Sequence, residues 1–146
     1  MSVLVGLVIL TLAGVLWLRR RVLVVAVKGR SMQPALLDGD RVLVWRRPVR
    51  RVKRGDMVVL QPPTVRLPAG PGRWVSADDG LQVKRVAAIA GEAMPDGVRS
   101  ATSQVPAGTL VVLSDNLEVG LDSRHWGPYA ASGLVGVVMR RMGETQ

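Results

Sequence analysis

The chain has 146 residues and a formal charge of +9, enough for one compact domain and a charge that suits a polyanionic partner, either nucleic acid or an anionic lipid surface. It holds no cysteine and one histidine, His125, which excludes disulfides, thiol nucleophiles, thiolate metal sites and any multi-histidine metal centre. Phenylalanine is also absent, so Val, Leu, Ile, Ala and four tryptophans must build the core.

Residues 2–18, SVLVGLVILTLAGVLWL, carry no charged side chain, and Arg19–Arg21 stop the run. A span of this kind, close to the roughly 20 residues a bilayer helix takes and ending on an interfacial Trp17, predicts an N-terminal transmembrane anchor over 1–21. A cleaved leader fits less well, because no basic stretch precedes the apolar run and no small-x-small site precedes the arginines. From residue 22 the pattern turns to short valine-rich runs bounded by Gly, Pro and Asp. Strands are predicted at 22–27, 41–45, 57–60, 82–89, 109–113 and 134–139, none with a helical period, so 22–146 reads as one all-β domain. The stretch 61–80, with Pro62, Pro63, Pro68 and Pro71 among its residues, reads as a long surface loop.

Two stretches raise a chemical question. GRSMQPALLDGD (29–40) sets a serine, Ser31, in a tight Gly- and Pro-bounded segment. A serine hydroxyl needs a base to become a nucleophile. Three bases are conceivable. His125, three residues after Asp122, would complete a Ser-His-Asp triad. Asp38 or Asp40 would be a weak base at ordinary carboxylate pKa. Lys84 is one of three lysines and stands inside a β-type run between Val83 and Val86. Strand alternation puts Gln82, Lys84 and Val86 on one face. A lysine on an apolar face loses solvation of its charged form, and the neutral amine can then act as a base. An edge-strand lysine that discourages aggregation is the bland alternative.

Four segments, in order, resemble the boxes of type I signal peptidases (leader peptidases): SMQPALLDGDRVLV, RGDMVVL (54–60), VKRVAAIAGE and SDNLEVGLDSRHWG (114–127). With the apolar N-terminus before them, the resemblance covers nearly the whole chain. It implies a signal-peptidase-like β-fold behind one membrane helix. It also implies a minimal form, since 85–113 leaves no room for the large second domain of some relatives.

The resemblance further implies a serine-lysine dyad, with Ser31 as nucleophile and Lys84 as general base. The Ser31 backbone N–H would contribute to the oxyanion hole, and Gly29 stands where many members carry glycine. Met32, Leu36 and Val83 would line shallow apolar pockets for small substrate side chains, typically alanine. The substrate would bind extended beside the lysine strand. Arg85 with Asp115, and Asp122 with Arg124, would be supporting pairs, with Ser123 in the same box. Three positions depart from the usual pattern: Ala35 for threonine, Ser114 for the glycine of Gly-Asp-Asn, and Gly120 for a serine whose hydroxyl holds the lysine amine in many members. Ser123 or a water would then take over that last task.

The implied activity needs no metal or cofactor. The implied substrates are secretory precursors with small residues before the cut, processed on the extracytoplasmic face of the cytoplasmic membrane. The Arg19–Arg21 triplet, by charge bias alone, favours the opposite orientation. A dedicated maturation protease, a self-cleaving Ser-Lys repressor-type protease and a basic membrane-tethered scaffold are the alternatives. The run RRPVRRVKR (46–54) lacks interleaved aromatic groups or a reading helix, so it fits anionic lipid or a solvated hairpin turn, and no nucleic acid.

Overall fold

The structure, a computed structural model, describes residues 2–63, 66–68, 74–76 and 80–143. A helix, α1 (Ser2–Arg21), leads directly into β1 (Val22–Ala26). β2 (Arg41–Trp45), β3 (Met57–Leu60), β4 (Arg66–Pro68), β5 (Trp74–Ser76), β6 (Gln82–Ile89), β7 (Thr109–Leu113), a short α2 (Ser123–Trp126), β8 (Tyr129–Ala130) and β9 (Leu134–Met142) follow. All six predicted strands form, β1 one residue shorter than expected and β9 three residues longer.

Seven strands make one sheet in the order β1-β2-β9-β3-β6-β7-β8, every neighbouring pair antiparallel. Both faces are apolar, which explains why the valine runs lack a polar alternate. Val59, Val83 and Val138 join Val42, Val44, Met32 and Leu36 in one core cluster. Their immediate neighbours Val58, Leu60 and Val137 point the other way, into a second cluster with Val86, Leu110, Val112 and Tyr129.

The stretch 61–80, expected as a long surface loop, contains a short ribbon. β4 and β5 pair antiparallel within it as a separate two-stranded ribbon. Its Pro-rich composition masked the short β segments RLP and WVS.

The side chains of α1 from Leu4 to Trp17 are all exposed, and Arg21 stacks its guanidinium over the Trp17 ring at 5.2 Å. Among the described residues no helix is long and apolar enough to cross a membrane.

Gly136, in β9, shows how closely the central strands approach. A Cβ there would lie 2.5 Å from the Trp45 carbonyl oxygen and 2.8 Å from Val44 Cγ1. Gly136→Ala should therefore force β2 and β9 apart and cost about 2–3 kcal/mol, as overpacking does. Thermal unfolding should show the midpoint falling by roughly 5–10 °C, and an unchanged midpoint would contradict this packing.

Candidate active site

The loop between β1 and β2 carries Ser31. It is pinned at its base, where Val27 N–H donates to Asp40 O (2.7 Å) and Gly39 N–H to Val27 O (2.9 Å). Inside it, Leu36 N–H reaches back to Met32 O (2.8 Å), so the segment after Ser31 coils into a turn. Met32 and Leu36 plug that turn into the core, each 1% exposed. Gly29 adopts φ +85°, a conformation that favours glycine, and its N–H donates to Asp38 Oδ1 (2.7 Å). Asp40 accepts from Leu37 N–H and lies 3.3 Å from Arg141. Both carboxylates are thus occupied with shaping the loop.

Lys84 lies on β6 opposite Val58 of β3. It is 3% exposed, and its Nζ donates to Ser114 Oγ at 2.9 Å. Alternation along β6 holds: Gln82 meets the hydroxyl of Tyr129, and Val86 packs in the Tyr129 cluster. Ser31 and Lys84 come together beside Gly120. A Cβ on Gly120 would lie 2.8 Å from Ser31 Cβ, 2.9 Å from Ser114 Oγ and 3.3 Å from Lys84 Nζ. Three groups from three separated segments therefore converge on one point.

That point opens into a cavity of about 370 Å³ whose walls include Gly29, Ser31, Met32, Val83, Lys84 and Gly120. Leu36, expected in this wall, packs in the core cluster with Met32 and Val83 and is not among the described residues that line the cavity. β7 pairs with β6 only from Arg85 onward, so among the described residues no strand pairs with the β7 side of β6 at Gln82–Lys84, next to the cavity. An extended peptide could add there.

The last box forms the support. Asp122, fully buried, accepts from Ser114 N–H (2.9 Å) and Arg124 N–H (3.0 Å), and from the Arg124 guanidinium at 2.9 and 2.7 Å. Burial alone would push its carboxyl up; the Arg124 guanidinium and the two backbone N–H groups outweigh that and hold it down at about 2. Asp122 also caps α2. Arg85 makes a two-pronged pair with Asp115, both bonds 2.7 Å, and donates to Gly55 O; the Asp115 carboxylate raises the guanidinium above its ordinary range. Asn116 N–H donates to Ser31 O (2.9 Å), tying this box to the serine loop.

The buried Ser123 Oγ accepts from Val112 N–H (2.9 Å). Ser114, which stands where the family pattern has glycine, offers its hydroxyl to Lys84. The signal was present as a pair of reciprocal departures, serine where glycine is usual at 114 and glycine where serine is usual at 120. His125 is half-exposed, 3.7 Å from Asp122, and faces a different depression with Arg99, Arg124 and Trp126.

The chain matches the family described as signal peptidase, peptidase S26, over residues 1–99 and 93–142. It is 29% identical over 135 residues to signal peptidase I V of Bacillus subtilis (strain 168), covering 77% of this chain and 80% of that protein. It is 34% identical over 120 residues to the mitochondrial ATP-independent inner membrane protease subunit 1a of Arabidopsis thaliana, covering 80% of this chain and 67% of that one.

Proposed function

Since the chain belongs to the signal peptidase family, peptidase S26, we propose that it is a membrane-bound serine endopeptidase that removes signal peptides from secretory precursors. Ser31 is the nucleophile and Lys84 the general base. The observation that carries this reading is the convergence of Ser31 and Lys84 beside Gly120, at a cavity flanked by a stretch of β6 that no described strand pairs on its β7 side.

In this reading the precursor lies extended along Gln82–Lys84, with small side chains against Met32 and Val83. Neutral Lys84 takes the Ser31 proton as Oγ attacks the scissile carbonyl. The Ser31 N–H stabilises the oxyanion. The tetrahedral intermediate collapses to an acyl-enzyme as the Lys84 ammonium returns its proton to the leaving amine. Water, deprotonated by the same amine, releases the signal peptide and restores Ser31. Burial of Lys84 disfavours its charged form, which suits a base.

The N-terminal apolar segment anchors the enzyme, and an uncovered apolar surface running along α1 supports this. The exposed Arg46, Arg50, Arg51, Lys53 and Arg54, with Arg140 and Arg141 on β9, face anionic lipid headgroups. The catalytic domain stands on the extracytoplasmic side, where precursors emerge.

The test is cleavage of a precursor bearing an Ala-x-Ala site, in detergent or liposomes, read by product mass. One cut after the second alanine is expected, and loss of cutting when that alanine becomes bulky. The rate should climb with pH into the alkaline range, because falling pH protonates the amine and removes the base. A flat or acid-shifted profile, or indifference to the residue before the cut, would sink the reading.

A further inference from the structure

The Lys84 amine is held by a hydroxyl from an unexpected place. Ser114 stands just beyond the end of β7 (Thr109–Leu113), is 3% exposed, and accepts from Lys84 Nζ at 2.9 Å. Its own backbone is fixed from behind by Asp122 Oδ2, 2.9 Å from its N–H. The opposite wall is Gly120, at φ +108°, where a Cβ would stand 2.8 Å from Ser31 Cβ and 2.9 Å from Ser114 Oγ. A side chain at 120 and a hydroxyl at 114 therefore compete for the same space.

We propose that Ser114 is the positioning residue for the base: its hydroxyl orients the Lys84 amine towards Ser31 and takes up part of the space that a side chain at Gly120 would enter. The proposal rests on the reading of Lys84 as the base. A neutral lysine amine has two N–H groups and one lone pair. With one N–H spent on Ser114 Oγ, rotation about the last side-chain bond is restricted, which keeps the lone pair available to the Ser31 hydroxyl. After proton transfer the ammonium keeps the same bond, now charge-assisted and stronger. Ser114 thus favours the protonated amine over the neutral one. Among the described residues, Asp122 pairs with Arg124 and accepts from Ser114 N–H, and Asp115 pairs with Arg85.

The experiment compares kcat, KM and the pH–rate profile of wild type, Ser114→Ala and Lys84→Ala on the same precursor. Ser114→Ala keeps the backbone N–H that Asp122 holds, so the fold should persist and KM should stay within about threefold. The kcat should fall roughly 10- to 100-fold, the scale of a misplaced reacting group. The alkaline limb should move to lower pH by roughly half to one unit, because the ammonium loses more than the neutral amine does. A purely structural role would lower the melting temperature and leave that limb in place. Gly120→Ser, made alone and in the Ser114→Gly background, completes a cycle in which the backbone strain at φ +108° is common to both arms and cancels. The double variant should exceed the product of the two single effects by about tenfold. Wild-type kcat and an unmoved limb in Ser114→Ala, or strict additivity in the cycle, would overturn the proposal while Lys84→Ala stays dead. Activity in Lys84→Ala would overturn the dyad reading itself.

Discussion

Ser31→Ala and Lys84→Ala should each reduce precursor cleavage by about 10⁴-fold or more, the scale seen when a nucleophile or its base is removed from a hydrolase. The two losses should not multiply: the double variant should be no worse than either single one, because each group is useless without the other. Neither change should greatly disturb the fold. Ser31 is half-buried in a loop held by backbone bonds at Val27, Gly39 and Asp40, and its carbonyl bond from Asn116 N–H survives in alanine. Lys84→Ala opens a small cavity and leaves Ser114 Oγ without that donor, so a modest loss of stability should accompany the loss of activity. His125→Ala is the contrasting arm. Its imidazole faces a different depression from the one holding Ser31 and Lys84, and cleavage should continue at near the wild-type rate. If His125→Ala is inactive and Lys84→Ala still cuts, the base has been misassigned.

The second large effect is on stability. Asp122→Ala should cost about 3–5 kcal/mol, the range for breaking a buried pair by removing one member. The carboxylate serves three purposes at once: it satisfies the buried Ser114 N–H, caps α2 and pairs with Arg124. Losing the first alone leaves a buried donor unmade at about 1–3 kcal/mol. The acid limb offers an independent check. The Asp122 carboxyl is held at about 2, below the ordinary 3.8, so its folded state binds a proton less readily than the unfolded chain. That contribution is present above roughly pH 4 and is lost as pH falls towards 2; it amounts to about 2 kcal/mol. Denaturant unfolding at pH 6 and at pH 2 should therefore show the wild-type advantage over Asp122→Ala shrinking by about that amount. An equal gap at both pH values would mean the carboxylate is not the group being titrated. Because Asp122 also fixes the Ser114 backbone, residual activity in this variant should fall beyond what its stability accounts for.

The strands were legible because runs such as RVLVW, MVVL and TLVVL are valine-rich, short and bounded by turn residues, and β-branched side chains suit a pleated sheet buried on both faces. The Arg85–Asp115 and Asp122–Arg124 pairs were legible, and Ser31 and Lys84 stood out as candidates, because each sits in a segment with its own recognisable residue order. Family membership followed from those segments taken together. The β4–β5 ribbon was not legible, since three-residue strands flanked by Pro and Gly fall below any periodic signal.

What one strand or loop cannot state is which side chains meet across strands. Leu36 looked like a pocket residue because it follows Ser31 closely, yet the coil from Met32 to Leu36 turns it into the core. Ser123 carries a hydroxyl in the same box, and only the fold shows that this hydroxyl, in the first turn of α2 behind the Asp122 cap, accepts from Val112 N–H. Ser114, 30 residues from Lys84, reaches it because β6 and β7 pair antiparallel and Asp122 holds the chain just past β7. Residue types, their order and the strands they favour are local properties written along the chain. The direction of each hydroxyl depends on pairing register and on backbone turns closed by distant groups, and those exist only once the sheet has formed.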